Sequence, residues 1–93
     1  MVIGVLTAKL SIPEARSLKD KRSVLRSLKD RIRNEINVSV AEVGSQDAWK
    51  FADLAFVTVA GTSEVVQKRV SEISNFLRSS PFYVLMDLHT ELL

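Results

Sequence analysis

The chain opens with a run of aliphatic and β-branched residues from Met1 to Ile12, closed by Pro13, which cannot donate to a sheet ladder. This predicts a first strand over Val2–Ile12. From Leu18 the period changes: Leu18, Leu25, Leu28, Ile32 and Ile36 recur at spacings that keep one face of a helix apolar. Ser17 suits the N-cap. Asp20, three residues on, supplies an acid at the positive end of the helix, a weaker form of the capping box, which prefers Glu or Gln. The pattern predicts a helix over Leu18–Ile36. Val38 and Val40 then alternate with Ser39 in a short second strand, Asn37–Val43, and Gly44 to Asp47 form a turn. Phe51–Ala60 is β-rich and follows within hairpin distance, so the second and third strands are antiparallel neighbours. After Gly61 and Thr62, Val66, Val70, Ile73 and Leu77 share one face of a second helix over Ser63–Arg78, which Ser79, Ser80 and Pro81 stop. The last strand, Phe82–Leu92, sets Phe82, Val84, Met86 and Leu88 against Tyr83, Leu85, Asp87, His89 and Glu91.

Two consecutive strand-helix-strand units of similar length predict an α+β fold of the ferredoxin-like, split βαβ kind. Right-handed crossovers put the first and third strands at the centre of a four-stranded antiparallel sheet, with both helices on one face and the second and fourth strands at the edges. Two helices cover only one face, yet the central strands are apolar in both registers. Ile3 and Val5 alternate with Val2 and Leu6, and Ala55, Val57 and Val59 with Leu54 and Phe56. An aliphatic patch is therefore expected on the open face, and with it a homo-oligomer, a dimer packed through that face or an edge.

At 93 residues the chain accommodates one core and is read as a single domain over residues 1–93. Its 46% hydrophobic and 26% charged residues match a globular domain and argue against disorder or a coiled coil. Without cysteine it can form neither a disulfide framework nor a thiolate metal site. The apolar amino terminus lacks a basic start and a small-residue cleavage site, and no stretch reaches the ~18 to 20 uncharged apolar residues of a membrane-spanning helix. Cytoplasmic residence, no membrane partner and no cofactor are the resulting expectations.

Net charge is only +2, but its distribution is uneven. Arg16 to Arg33 holds eight basic and two acidic residues, a net +6, whereas the remainder holds five basic and nine acidic, a net −4. Within that segment Lys19, Arg22, Arg26, Lys29 and Arg33 are spaced three, four, three and four residues apart. At about 100° per residue they fall within about 80° of arc, on the solvent side of the first helix. Such a stripe can neutralise successive phosphates and release counterions, giving salt-sensitive nucleic-acid binding with little sequence preference. Arg16 and Lys21 widen it near the helix start. A helix also needs a wetted face, and Lys and Arg are good helix formers, so a merely solvated surface remains the alternative. Against that stands the small cost of like charges three or four residues apart.

Other candidates are weaker. RNA-recognition domains with this element order stack bases on aromatics of the central strands. Here Leu54 occupies the place of the first such aromatic, Ala52 the basic position and Val59 the last aromatic, beside Phe56 and Val57. Trp49, the only tryptophan, either caps the end of the core or offers a platform to a partner or ligand. Asp87, His89 and Glu91 project from one face of the last strand, more in keeping with edge protection than with a metal or acid-base site. Acylphosphatase-type enzymes share the topology and hold phosphate in a glycine-containing loop with an arginine. Arg16 is in the right loop, but Ser11 to Ser17 has no glycine and Pro13 removes a donor. No catalytic residue and no metal ligand is assigned.

Three stretches together resemble the YlxP-like bacterial proteins, a family defined by a domain of unknown function: Ser17-Leu18-Lys19-Asp20-Lys21-Arg22, Asn37-Val38-Ser39-Val40-Ala41-Glu42-Val43 and Asp47-Ala48-Trp49. The resemblance extends over essentially the whole chain. It implies a ferredoxin-like fold and a ribosomal or RNA-linked role, and it brings no catalytic residues with it. The expectation is a non-catalytic accessory protein that docks on RNA or a ribonucleoprotein through the first helix. Its alternative is a dimeric protein-interaction or small-ligand module that uses the open sheet face and Trp49.

Overall fold

The computed structural model describes residues 1–93 and contains six elements: β1 (Val2–Ser11), α1 (Leu18–Glu35), β2 (Ser39–Gly44), β3 (Phe51–Ala60), α2 (Ser63–Arg78) and β4 (Val84–Leu92). The strands form one antiparallel sheet in the order β2-β3-β1-β4. This is the predicted ferredoxin-like arrangement, with both helices on one face.

Strand period and register select that face. Leu6 pairs with Phe56, Ala8 with Leu54 and Leu10 with Ala52, so the even-numbered residues of β1 and β3 point the same way. They meet Val40 of β2, Leu25, Leu28 and Ile32 of α1, and Ile73 and Leu77 of α2 in one core. Gly4 lets α2 seat closely on β1: a Cβ there would lie 2.5 Å from Val66 Cγ1. The odd-numbered residues face away from the helices, and Val57 and Val59 are 42% and 52% exposed, as two-sided apolar strands under one-sided cover require.

Local chemistry sets the helix ends. Ser17 Oγ accepts the Asp20 N–H at 3.1 Å, and Thr62 Oγ1 accepts the Val65 N–H at 3.4 Å. The Asp20 carboxylate reaches back to the Arg16 N–H at 3.0 Å, one residue before the N-cap that a capping box would bond. Ile36 has already left helical geometry, with φ −132° and ψ 135°, although its N–H still bonds Ile32 O at 2.8 Å.

Two strand boundaries differ from the sequence reading by two residues, while the ends of β1, at Ser11, and of β2, at Gly44, differ by one. β2 starts at Ser39 because the Asn37 carbonyl is taken by Thr58 Oγ1 at 2.8 Å. β4 starts at Val84, after a turn in which Phe82 N–H bonds Ser80 Oγ at 3.1 Å. The predicted alternation of β4 also fails. Lys9 pairs with Asp87 but Leu10 with Leu85, so Met86 is an extra residue at a bulge. Leu85 and Leu88 consequently both turn toward the helices, while Val84, Asp87, His89 and Glu91 share the open face.

Replacing Gly4 with Ala drives a methyl into the fully buried Val66 and is expected to lower stability by about 1 to 2 kcal/mol in urea denaturation. Part of that loss should return in the Gly4→Ala, Val66→Ala double variant. An unchanged or raised midpoint for Gly4→Ala alone would show that α2 can ride higher on the sheet.

Candidate nucleic-acid interface

Three sides of α1 do different things. Its inner side carries Leu25, Leu28 and Ile32 into the core. On the flank toward β2 stand Lys19, Arg22, Arg26 and Arg33, all exposed, with Lys29 half-buried among them. Arg33 also reaches the edge strand, donating from Nη2 to Val40 O at 2.9 Å, which leaves its guanidinium the most tethered of the five. Arg16 is exposed in the loop before the helix. None of these six cations has a carboxylate within 4.0 Å, because the molecule's one ion pair lies elsewhere. The row is therefore continuous and electrostatically uncompensated by close contacts.

Lys21 does not belong to this surface. Its side chain is 1% exposed, and Nζ lies 2.8 Å from Glu42 Oε2, 2.7 Å from Ser45 O and 2.8 Å from Ala48 O. All three donors of the ammonium are thus used inside the fold, and the Glu42 oxygen, buried and otherwise unpartnered, is met by it. The signal was present in the spacing. Lys21 lies four residues before Leu25, seven before Leu28 and eleven before Ile32, on the apolar side and not the wet one. The Ser17 to Arg22 stretch contributes Lys19 and Arg22 to the surface and Lys21 to the frame.

Trp49 does not cap the core: the residue is 50% exposed at the β2–β3 turn. The turn itself is held from within by the Lys21 contacts and by Ser45 Oγ donating to Asp53 Oδ2 at 2.6 Å. Ser45 takes a left-handed φ of 56° to make this bend. Asp87, His89 and Glu91 do share the open face, but no three acidic or histidine side chains converge on a point that a metal ion could occupy. In β3, Ala52, Leu54 and Phe56 are buried beneath the helices, so these positions cannot stack bases. The loop before α1 has the wrong polarity for a phosphate cradle. Its Pro13 and Ala15 carbonyls accept from Lys50 Nζ at 2.8 and 3.1 Å, while the Ala15 and Arg16 amides are spent on Ile12 O and Asp20.

With that geometry in hand, residues 3–90 match the family model described as "Protein of unknown function (DUF503)". The chain belongs to the DUF503 family. It is similar to "Uncharacterized protein YlxP" of Bacillus subtilis (strain 168), with 32% identity over 80 residues, 86% of this chain and 87% of the relative. Among solved structures it is similar to a de novo designed protein with a ferredoxin fold, determined by NMR in solution. The TM-score is 0.50 at 15% identity, over 99% of this chain and 85% of that one, a likeness of fold alone. The DUF503 description names no catalytic activity. No helix is long and apolar enough to cross a membrane.

Lys21→Met should be strongly destabilising, because it leaves the Glu42 carboxylate and two turn carbonyls without their donor. A loss of about 3 kcal/mol is expected in chemical denaturation, against less than about 0.5 kcal/mol for Arg22→Ala on the outer flank. Similar small losses for both variants would mean that the ion pair does not hold the turn.

Proposed function

We propose that the domain is a non-catalytic accessory protein that docks on RNA, free or within a ribonucleoprotein, through the outer flank of α1. The observation that carries this reading is the row Lys19, Arg22, Arg26, Lys29 and Arg33, with no carboxylate in ion-pairing distance of any of them. Uncompensated like charges at helical spacing repel one another weakly, and a polyanion relieves that repulsion while releasing its own counterions. Arg16 extends the row beyond the helix start. Because the contacts are to phosphates, the reading implies affinity with little base preference.

The test is RNA binding as a function of salt. With five phosphate contacts to single-stranded RNA, log K should fall against log salt with a slope of about −3.5, and each Ala replacement in the row should reduce the slope by about 0.7. Arg22→Glu with Arg26→Glu should abolish binding, while Lys68→Ala, on the exposed face of α2, should leave it unchanged. Binding that ignores both salt and the charge reversal would overturn the assignment.

A second reading concerns the open sheet face and is independent of the first. Val57 and Val59 stand exposed on β3, next to Ile3 and Val5 on β1, and Leu93 lies alongside Ile3 through paired backbone hydrogen bonds of 3.0 and 2.7 Å. We infer that a second copy of the chain covers this patch, since a two-fold axis sets the same apolar surface against itself. Sedimentation equilibrium at about 0.1 mM should then give a dimer that Val57→Lys with Val59→Lys converts to monomer. A parent chain that is monomeric at that concentration would exclude it.

A further inference from the structure

The third side of α1 borders a cleft that the RNA reading does not use. Ser23, Ser27 and Arg31, spaced four residues apart, follow this flank, and Val24 and Leu28 lie beside them. Phe76 of α2 and the link of Ser80, Phe82 and Tyr83 leading into β4 form the opposite wall. The cavity measures about 180 Å³, slightly more than the ~150 Å³ that suffices elsewhere to admit benzene.

Of its polar side chains Ser80 is partly spent, its Oγ accepting the Phe82 N–H at 3.1 Å, while Ser23, Ser27 and Arg31 make no hydrogen bond within the fold. Tyr83 is only 5% exposed, and its phenol oxygen makes no well-formed hydrogen bond, Ser80 offering at most a poorly aligned one, which is costly for a buried hydroxyl. Burial pushes the Tyr83 phenol above its ordinary value of 10.0, while the nearby Ser80 hydroxyl and Arg31 guanidinium pull the other way. Both groups line the same cleft as Tyr83. Arg31 has no carboxylate partner; its guanidinium lies over the Phe76 ring at 5.1 Å, and that ring also faces the cavity. A guanidinium and several hydroxyls, all able to donate, thus share a small space with Val24, Leu28, Phe76 and Phe82.

We propose that this cleft binds a small organic carboxylate whose apolar body is about the size of one six-membered ring. The carboxylate oxygens accept from Arg31, the Tyr83 phenol and the serine hydroxyls, and the body packs against Val24, Leu28 and the two phenylalanines. An inorganic anion would leave the apolar wall uncovered, and a neutral ring would leave the guanidinium and phenol without acceptors. The site requires both halves in one molecule.

Amide chemical-shift titration of the whole chain tests this directly, with sodium benzoate, cyclohexanecarboxylate, benzyl alcohol and inorganic phosphate as probes. Saturable shifts confined to residues 23–31 and 76–83 are expected for the two carboxylates, with Kd of about 1 mM or tighter for a ligand of this size. Benzyl alcohol and phosphate should bind at least about tenfold more weakly. Arg31→Gln and Tyr83→Phe should each weaken benzoate binding about five- to tenfold. Tyr83→Phe removes an unpartnered hydroxyl and should keep the fold, which its unperturbed amide spectrum outside the cleft will verify. No saturable shift with either carboxylate up to about 30 mM would overturn the proposal. So would equal affinity for phosphate or for benzyl alcohol, or carboxylate binding unaffected by both substitutions.

Discussion

One-sided cover of a four-stranded sheet is the constraint from which the other features follow. β1 and β3 carry apolar side chains on both faces, and the two helices that return between the strands can bury only one. Register then determines which residues are spent on the core. Leu6, Ala8, Leu10, Ala52, Leu54 and Phe56 go inward, and Val57 and Val59 are left in solvent. The same register places Glu42 on the helix side of β2, opposite Leu54, at the place where Lys21 arrives from α1.

That ion pair divides the labour along α1. Burying an ammonium is tolerable only when its donors are all met, and here one carboxylate and two carbonyls of the β2–β3 turn do so. The contact anchors the beginning of the helix to a turn distant in sequence and leaves the half-exposed Trp49 at that turn's surface. With Lys21 inside, the remaining cations form a narrower row than the count of basic residues suggests. On the opposite flank Arg31 is turned toward Phe76 and Tyr83, and so is separated from that row by the width of the helix. One helix therefore carries the exposed cationic row on one side and borders the Arg31 cleft on another, while its third side holds the domain together.

These two surfaces differ in how the fold supports them. The outer row depends on little beyond helical periodicity, since all its side chains but the half-buried Lys29 are exposed and Arg33 alone is hydrogen-bonded to the sheet. In the RNA-docking reading its free energy with a polyanion comes from counterion release and falls away with salt. The cleft depends on α2 and the link into β4 arriving at the right place. Of its polar groups Ser23, Ser27 and Arg31 stand at the exposed rim, Ser80 is half-buried and Tyr83 is buried, and at Tyr83 an unmet hydroxyl is costly and a single new hydrogen bond matters more.

Much of this was legible along the chain because it is set by near neighbours. β-branched runs broken by Pro and Gly mark β1 and β3; apolar recurrence every three to four residues marks α2 from Ser63 to Arg78; Ser17 caps α1 as its position suggests. The cationic row is likewise a matter of angle about one helix, and the family is carried by short local motifs. Other features depended on partners brought from far away. Lys21 reads as one more surface cation until the chain folds back and delivers Ser45 and Ala48, 24 and 27 residues on. The bulge at Met86 arises from how β4 must register against β1, which no alternation within β4 reveals. Tyr83 is an ordinary strand residue in sequence, and only the meeting of α1, α2 and the link into β4 surrounds it. Periodicity specifies which side of an element is wet or dry, whereas the identity of what lies across the gap is a property of the assembled fold.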